Sequence, residues 1–329
     1  MRLVLAYNAK TDDDQSQAER FDREYVDRLL EGLRRLGHEV IPLEVSGPPG
    51  AIVDGLVQAR PELVFNLAEG TSAHKRESYY PAMFELLGLP YTGGATSLLH
   101  VGLDKRLTNK ILAVRGLQVP GGALLTPEEH RIPDQLRYPL FIKPNYEGSS
   151  MGISQKSVVE SEDEARPLID ELLARYPAGV DIEEYIAGRE LTVPMLQAYP
   201  QRLLEIVEYS FPGGGHAIFD YETKARSDQA VETHCPPALT ARQRDAVLAL
   251  AEQAFRVLRP RDFGRADIRL TVEGTAYLIE VNPLPGLRPV SPVITGAEAK
   301  GIDYEGVLEL IVESAVRRYG LRAEPSGAA

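Results

Sequence analysis

Cysteine is almost absent from this chain of 329 residues, in which Cys235 stands alone. A disulfide framework and a zinc site built from cysteines are therefore excluded. Basic residues are also in deficit, since 36 lysines and arginines face 48 acidic residues and leave a formal net charge of -12. Nucleic acids and anionic membranes select basic surfaces, so no nucleic acid and no membrane is expected as a partner.

Long apolar runs are missing too. No stretch approaches the roughly 20 apolar residues that span a bilayer, and the first residues, MRLVLAYNAKTDDD, lack the pattern of a signal peptide. We therefore expect a soluble cytoplasmic protein. Two nucleotide-binding motifs are absent as well. Residues 8–11, after the first apolar run, contain no G-x-G-x-x-G, and residues 147–152 are not a Walker A loop.

What is present begins with alternating strands and helices. Apolar runs predict buried strands at residues 3–7, 38–45 and 63–67, and apolar residues at helical spacing predict helices at residues 18–36 and 79–87. Short connections between alternating strands and helices favour a parallel sheet covered by helices. The first part of the chain is therefore predicted to be an α/β domain.

Residues 263–286 predict a β-hairpin with one charged face. A two-residue Glu-Gly turn sets Asp267 opposite Glu280 and Arg265 opposite Asn282, and side chains two apart on a strand share a face. The opposite face is predicted to be apolar and to pack on a core, with Ala266, Ile268 and Leu270 against Val281, Ile279 and Tyr277.

Two carboxylates that face each other repel, so this hairpin requires a compensating feature. The candidates are a divalent cation, the neighbouring Arg265, or a raised carboxylate pKa. Oxygen atoms of Asp, Glu and Asn suit Mg²⁺, which takes the rest of its ligands from water and substrate phosphates. A solvated face of mixed charge is the alternative interpretation.

A second feature is the loop at residues 147–152, Glu-Gly-Ser-Ser-Met-Gly, between predicted strands at residues 140–143 and 153–158. Its small residues expose backbone N-H groups and two hydroxyls, which are donors for phosphate oxygens. A flexible β-turn is the alternative. A later predicted strand, residues 180–186, could hydrogen-bond a purine edge, with Glu190 at a ribose hydroxyl. An ordinary core strand with an acidic edge is the alternative there.

Several short segments follow one another along nearly the whole chain. They are Val64-Phe65-Asn66-Leu67, Leu103-Asp104-Lys105, Ile142-Lys143-Pro144, the loop at 147–152, Ile182-Glu183-Glu184-Tyr185, Gly188-Arg189-Glu190, Asp220-Tyr221-Glu222-Thr223-Lys224, Gly264-Arg265-Ala266-Asp267 and Glu280-Val281-Asn282-Pro283. In this order and at this spacing they resemble the ATP-grasp superfamily and, within it, the D-alanine-D-alanine ligase family.

The resemblance implies an α/β (α+β) ATP-grasp fold with three domains, at residues 1–96, 97–184 and 185–329. The first would be the N-terminal parallel α/β domain, and ATP would lie between the central and C-terminal domains. Members of the family are often dimers through the first domain, so a homodimer is one expectation.

The resemblance also implies a nucleotide site. The residues that would bind ATP are Lys105 and Lys143 at the phosphates, Gly148, Ser149, Ser150 and Gly152 in a flap over them, Glu183, Glu184, Tyr185 and Ile186 at the adenine, and Glu190 at the ribose. Lys224, in the long polar segment at 212–234, would reach in when that segment closes. Mg²⁺ or Mn²⁺ would be held by Asp267, Glu280 and Asn282. Arg265 would stabilise the transferring phosphoryl group, and the predicted catalytic residues are Arg265, Ser149 and Lys224.

The implied reaction is ATP-dependent joining of a carboxylate to an amine through an acyl phosphate, as in peptide-bond formation. The substrates would be small molecules, either amino acids or peptides. An authentic D-alanine-D-alanine ligase of cell-wall synthesis is one alternative. A small-molecule kinase on the same fold and a non-catalytic nucleotide-binding protein are alternatives from other classes.

The chain departs from the family pattern in its substrate region. No residue in 7–20 can be matched to the family's Glu that grips the ammonium of the first D-alanine, and Ala225 replaces a Tyr that contacts the flap. Near the second-substrate site Gly286 and Ser291 match the family pattern, whereas Arg288 and Pro292 do not. The predicted substrate-binding residues are Gly286, Arg288 and Ser291. We therefore expect a substrate other than D-alanine. Arg288 would suit an extra carboxylate or would be a solvent-facing charge.

Overall fold

The computed structural model describes residues 1–12, 14, 17–70, 75–197, 202–211, 218 and 231–321. Its first layer is a three-stranded parallel sheet of order β2-β1-β3, covered by helices. The elements are β1 (Arg2–Tyr7), α1 (Arg23–Arg35), β2 (Glu39–Glu44), α2 (Pro49–Ala59), β3 (Leu63–Asn66) and α3 (Arg76–Leu86). This confirms the predicted parallel α/β arrangement.

The first helix starts five residues later than predicted. Asp22 is its N-cap, because the Asp22 carboxylate accepts a hydrogen bond from the Tyr25 backbone N-H at 2.8 Å. The apolar spacing that predicted the helix extends further back because Phe21 is also buried. A buried residue in front of a cap continues the apolar pattern without continuing the helix.

The second sheet is antiparallel, with order β4-β7-β5-β6. This part of the chain contains α4 (Thr96–Leu103), α5 (Lys105–Val114), β4 (Gly122–Leu125), β5 (Leu140–Pro144), β6 (Val158–Val159), α6 (Glu162–Arg175) and β7 (Val180–Glu184). The strand predicted at residues 153–158 is largely wrong. Ser154 and Ser157 cap a short 3-10 turn at Gln155–Ser157, and only β6 pairs with β5.

The third sheet has six strands, in the order β11-β10-β8-β12-β13 with β9 paired to β8. The elements are β8 (Arg189–Leu196), β9 (Arg202–Leu203), β10 (Val207–Ser210), β11 (Glu232–His234), α7 (Ala241–Leu258), β12 (Phe263–Leu270), β13 (Ala276–Asn282), α8 (Pro292–Glu298) and α9 (Tyr304–Tyr319). No helix among the described residues is long and apolar enough to cross a membrane.

The hairpin of β12 and β13 has the predicted register at one end only. Asp267 pairs with Glu280 and Arg265 with Asn282. At the other end the turn contains three residues, since the Thr271 N-H donates to the Thr275 carbonyl. A bulge after Asp267 absorbs the extra residue and restores the register. It also makes Leu278 the buried residue opposite Ile268, so the predicted core positions of Ile279 and Tyr277 are wrong.

One apolar core joins the two ends of the described chain. Helix α1 packs against α9, and Leu29 and Leu33 belong to the same buried cluster as Leu308 and Ile311. A Cβ placed at Gly32 would lie 2.7 Å from Leu308, so glycine permits this close approach. The first sheet therefore completes its core with the last helix. The predicted domain boundaries stay a prediction.

Candidate active site

The facing carboxylates of the hairpin are compensated by a cation on the same strand. Arg265 Nε lies 3.2 Å from Asp267 Oδ2, and Arg265 Nη2 lies 3.9 Å from Glu280 Oε1. Thr192 Oγ1 donates to the other Asp267 oxygen at 2.8 Å. Burial raises the pKa of Asp267, and the charge of Glu280 raises it further while Arg265 opposes the rise. Two of the three predicted forms of compensation are thus present in the protein itself.

The same residues fit a divalent cation, which is the third form. Asn282 Oδ1 accepts a hydrogen bond from the Leu284 N-H at 2.8 Å, which fixes its orientation and leaves a second lone pair. The side chains of Asp267 and Glu280 are 22% and 30% exposed, so their oxygens are reachable from outside. Three hard oxygen donors on one face are a donor set that Mg²⁺ or Mn²⁺ prefers.

Lys105 connects this face to the loop predicted to be a phosphate flap. Its Nζ donates to the Glu147 carbonyl at 2.5 Å and lies 3.8 Å from Glu280 Oε2. Lys105 is placed there because Asp104 caps α5 and positions its first residue. A buried ammonium beside the hairpin carboxylates is well placed to meet an anionic ligand.

Lys143 lies in a buried network that the sequence did not indicate. Its Nζ donates to Glu183 Oε1 at 2.7 Å and lies 3.9 Å from Asp181. Arg106 binds Asp181 at 2.7 Å and Glu183 at 3.1 Å, so two cations meet two anions. Burial alone would lower the pKa of Lys143, but Glu183 and Asp181 outweigh burial and raise it. Lys143 therefore stays charged, and the Glu183 side chain is directed at Lys143 and Arg106.

The flap, residues 147–152, is a tight turn with strained backbone. Ser149 and Ser150 have φ angles of 50° and 59°, and the Met151 N-H donates to the Gly148 carbonyl at 3.0 Å. Positive φ at both central positions is the pattern of a type I′ turn. Non-glycine residues in this conformation persist where the surroundings hold them, which is common at ligand sites.

The adenine and ribose candidates form the connection between the second and third sheets. Tyr185 follows β7, and its N-H donates to the Pro139 carbonyl at 2.9 Å. Glu184 forms an ion pair with Arg137 at 3.0 Å on the outside of the sheet. Glu190 lies near the start of β8, where Arg269 pairs with it at 3.0 Å. Ile186 directly follows Tyr185 and lies between β7 and β8.

Three further glutamates, which the sequence analysis missed, lie beside the flap. Carboxylate oxygens of Glu19, Glu69 and Glu77 are all within 4.8 Å of one another, and we call this group the acid pocket. Glu69 and Glu77 follow β3, and Glu19 follows β1. Ligand sites often lie at the carboxyl ends of parallel strands, so topology was the signal that could have found them.

Arg76 joins the acid pocket to the flap. Its Nη2 lies 2.7 Å from Glu19 and 3.7 Å from Glu147, and its Nη1 donates to the Tyr146 carbonyl at 2.8 Å. A Cβ at Gly148 would collide with the Glu19 carboxylate, so the flap packs directly on this pair. Arg76 neutralises one carboxylate of the pocket and leaves an excess of negative charge.

The pKa of Glu77 is raised to about 8, and burial is the largest cause. The charges of Glu19 and Glu280 add to the rise, whereas Arg76 and Lys105 oppose it. A chain of contacts connects the acid pocket to the hairpin carboxylates, since Arg76 lies 3.7 Å from the Glu147 carboxylate, the Glu147 carbonyl accepts from Lys105, and Lys105 Nζ lies 3.8 Å from Glu280. The two sites therefore form one continuous polar region.

The predicted second-substrate residues lie between the hairpin and α8. Ser291 Oγ is buried and has no hydrogen-bond partner among the residues that the structure describes. Arg288 pairs with Asp22 at 2.8 Å and lies over the Tyr25 ring at 4.5 Å. Gly286 precedes Leu287, whose N-H donates to the Tyr25 hydroxyl. Lys224 and Ala225 lie outside the described residues.

Comparisons with known proteins agree on one family. A family model described as D-ala D-ala ligase C-terminus matches residues 125–313. A D-alanine-D-alanine ligase of Aromatoleum aromaticum is 36% identical over 71% of this chain and 72% of its own. Another, from Marinomonas, is 31% identical over 89% and 90%. A crystal structure of the Bacillus anthracis D-alanine-D-alanine ligase with ATP matches the fold with a TM-score of 0.76 at 21% identity, covering 97% of this chain and 99% of the other.

Proposed function

The chain belongs to the D-alanine-D-alanine ligase family of ATP-grasp enzymes and is an ATP-dependent C-N ligase, and we propose that it activates an amino acid or short peptide whose ammonium group binds in the acid pocket. The observation that carries this proposal is the cluster of Glu19, Glu69 and Glu77 within 4.8 Å beside the hairpin carboxylates. Three carboxylates with one arginine attract a cationic group.

ATP would bind with its phosphates between the flap and the hairpin. Lys105 and Lys143 would supply positive charge there, and Ser149, Ser150 and Lys224 would close over the phosphates. Asp267, Glu280 and Asn282 would hold Mg²⁺ or Mn²⁺, which when bound screens the charge of the phosphates. Arg265 would stabilise negative charge on the transferring group.

The chemistry needs two positioned substrates and no covalent enzyme intermediate. The carboxylate of the first substrate attacks the γ-phosphorus of ATP, which gives an acyl phosphate and ADP. The amine of the second substrate attacks the acyl carbon, and phosphate leaves as the C-N bond forms. Holding the first ammonium in the acid pocket would direct the adjacent carboxylate toward the phosphates.

The second substrate would present its carboxylate to Ser291. A buried hydroxyl without a partner is costly unless a ligand satisfies it, which supports a role for Ser291 in binding. The pairing of Arg288 with Asp22 makes an additional carboxylate at Arg288 less favourable than the sequence suggested, because that charge is already neutralised.

The test is a matrix of amino acids and dipeptides, of both configurations, assayed for substrate-dependent formation of ADP and phosphate with Mg·ATP. The acid pocket can hold an ammonium, so the departures that remain from the family pattern are Ala225, Arg288 and Pro292. Because of these we expect one donor-acceptor pair other than D-alanine with itself to give the highest kcat/KM. Glu77→Gln should raise KM for the donor, and Glu273→Gln in the hairpin turn is the control because Glu273 is exposed. Activity with carboxylates that lack an ammonium, equal to that with amino acids, would contradict the proposal.

A second candidate is D-alanine-D-alanine ligation itself. It is favoured by relatives of that name that are 36% identical to this chain over most of its length. If D-alanine gives the highest kcat/KM in the matrix, the altered substrate is wrong and this candidate replaces it, while the acid-pocket role of Glu77 is still decided by the Glu77→Gln variant.

A further inference from the structure

Arg269 lies on the face of β12 that carries the hairpin carboxylates. The pairing of β12 with β8 is regular from Phe263 to Leu270, so its side chains alternate between two faces. Arg265, Asp267 and Arg269 therefore share one face, and Arg269 lies about 7 Å beyond Asp267, which is the rise of two strand residues. Only 7% of Arg269 is exposed.

Three contacts of the Arg269 guanidinium are with one short segment. Arg269 Nη2 lies 3.0 Å from Glu190 Oε2, and Nη1 donates to the Gly188 carbonyl at 3.2 Å. Its Cζ lies 5.5 Å from the centre of the Tyr185 ring. These partners all lie in residues 185–190, which comprise the connection after β7 of the second sheet and the first two residues of β8 of the third, and we call this segment the crossover.

The backbone of the crossover lies very close to the backbone at the end of β12. Gly188 has a φ angle of 150°, and a Cβ there would collide with the Leu270 carbonyl. Glycine is therefore required at residue 188, where the backbone carbonyl accepts the hydrogen bond from the Arg269 guanidinium. A planar guanidinium can pair with a carboxylate, bind a carbonyl and stack on a ring at once, which a lysine ammonium cannot do.

Arg269 holds one carboxylate oxygen of Glu190, and the Glu190 side chain is still partly exposed. Its Oε2 faces Arg269, while its side chain retains 21% exposure. A carboxylate with one oxygen fixed by a buried cation keeps the other as a hydrogen-bond acceptor of defined direction. Such an acceptor matches a ribose hydroxyl.

We propose that Arg269 is a positioning residue for the nucleoside half of ATP, holding Glu190 toward the ribose hydroxyls and Tyr185 against the purine. This inference rests on the proposed function, in which Glu190 takes the ribose. Arg269 itself does not touch the nucleotide in this arrangement. It acts through the crossover.

The experiment measures binding of Mg·ADP, Mg·2′-deoxy-ADP and Mg·3′-deoxy-ADP by calorimetry, so it needs no amino acid substrate. The proteins are the wild type, Glu190→Gln, Arg269→Met and Arg269→Lys. Arg244→Met is the matched control, because Arg244 also pairs with a glutamate, Glu205, at 2.6 Å and lies outside the crossover. Thermal unfolding of each variant checks that it is folded.

We expect the wild type to bind ADP about tenfold more tightly than at least one deoxy analogue, as for a hydrogen bond to a charged group. Arg269→Met should reduce this ratio to near that of Glu190→Gln, and Arg269→Lys should reduce it partly. Arg244→Met should leave the ratio unchanged.

Equal weakening of all three nucleotides by both Arg269 variants, with the wild-type ratio retained, would overturn the inference and leave Arg269 a purely structural role. A wild-type ratio in Glu190→Gln would overturn the ribose assignment and the inference together. Failure of the wild type to bind Mg·ADP at all is a different result, because it contradicts the proposed function itself.

Discussion

At the residue scale, the hairpin carboxylates are the features that sequence reasoning located best. Asp267 and Glu280 are only 13 positions apart, and a local turn together with alternation along two strands predicted that they face each other, as they do. Arg106 and Asp181, by contrast, are 75 positions apart and pair at 2.7 Å inside the protein. No local pattern indicates such a contact, because it depends on how two elements pack.

The role of Glu280 can be tested by a change that keeps its shape. Glu280→Gln should weaken binding of Mg·ADP by about 100-fold or more, because the amide removes the charge that a divalent cation needs. The melting temperature should change little, since the side chain is 30% exposed. Calorimetry with and without Mg²⁺ measures the effect. Unaltered Mg²⁺-dependent binding would show that the metal lies elsewhere.

Glu77 should make binding of the amino substrate depend on pH. Burial and the charge of Glu19 raise the pKa of Glu77 to about 8, so the free carboxyl is largely protonated at pH 7. An ammonium favours the ionised form, so its binding should release a proton below pH 8. Affinity should therefore rise from pH 6 to about pH 8 and level off above.

The measurement for Glu77 is calorimetry of the best amino acid from the substrate matrix, in buffers with different ionisation enthalpies, without nucleotide. Glu77→Gln should bind more weakly and lose the proton release. Proton release that persists unchanged in Glu77→Gln would assign the effect to another group.

At the element scale, the hairpin shows how a wrong detail can leave a site prediction intact. The sequence suggested a two-residue turn, whereas the turn has three residues and β13 has a bulge. The longer turn shifts the pairing by one residue, and the bulge shifts it back before the charged pairs are reached. The charged pairs therefore have the predicted register, whereas Ile279, which lies at the bulge, does not. Turn length and bulges depend on packing against a neighbouring strand, which the two strands alone do not specify.

The flap depends on a glycine at one position. Gly152 has a φ angle of 74°, and a Cβ there would lie 2.6 Å from Pro144. Gly152→Ala should therefore shift the flap and weaken Mg·ADP binding by about tenfold, since misplaced donors lose phosphate contacts.

Gly116→Ala is the matched control for the flap, because Gly116 has a φ angle of 81° but nothing within 4 Å of its Cβ position. It carries a similar backbone cost at the end of α5, away from the flap. We expect it to lower the melting temperature slightly and leave nucleotide binding unchanged. Equal effects of both variants on binding would argue against a specific role for the flap geometry.

At the scale of the whole molecule, the sequence alone did not predict which elements share a hydrophobic core. Alternating strands and helices predicted the first sheet, and the structure confirms it. The packing of α1 on α9 brings together segments about 280 positions apart. Apolar faces indicate that a helix is covered, but many faces are compatible and only three-dimensional packing selects the partner.

Glu205, which lies between β9 and β10, pairs with one residue of α7 and with one residue just after α8. These ion pairs should stabilise the protein at neutral pH. Glu205 accepts hydrogen bonds from Arg244 at 2.6 Å and pairs with Lys300 at 3.1 Å. Burial would raise the pKa of Glu205, but these bonds and one from the Ile206 N-H outweigh it and lower the pKa to about 2. A lowered folded pKa means stability that is full above about pH 4.5 and lost as pH falls toward 2.

Glu205→Gln should lower the free energy of unfolding at pH 7 by about 1–2 kcal/mol, a modest value because Arg244 and Lys300 are partly exposed. The difference from the wild type should shrink between pH 4.5 and 2 in urea unfolding. Glu298→Gln, at an exposed position of α8, is the control. A difference independent of pH would contradict the electrostatic explanation.

The central claim is that this ligase activates a carboxylate as an acyl phosphate, and the fate of one oxygen atom tests it most directly. The best donor amino acid from the matrix is labelled with ¹⁸O in its carboxylate and turned over with Mg·ATP and the acceptor, and the released phosphate is analysed by mass spectrometry. We predict that each phosphate carries one oxygen from the carboxylate and that an amide forms in equal amount. Phosphate free of label, or a stable phosphorylated product without an amide, would contradict the account.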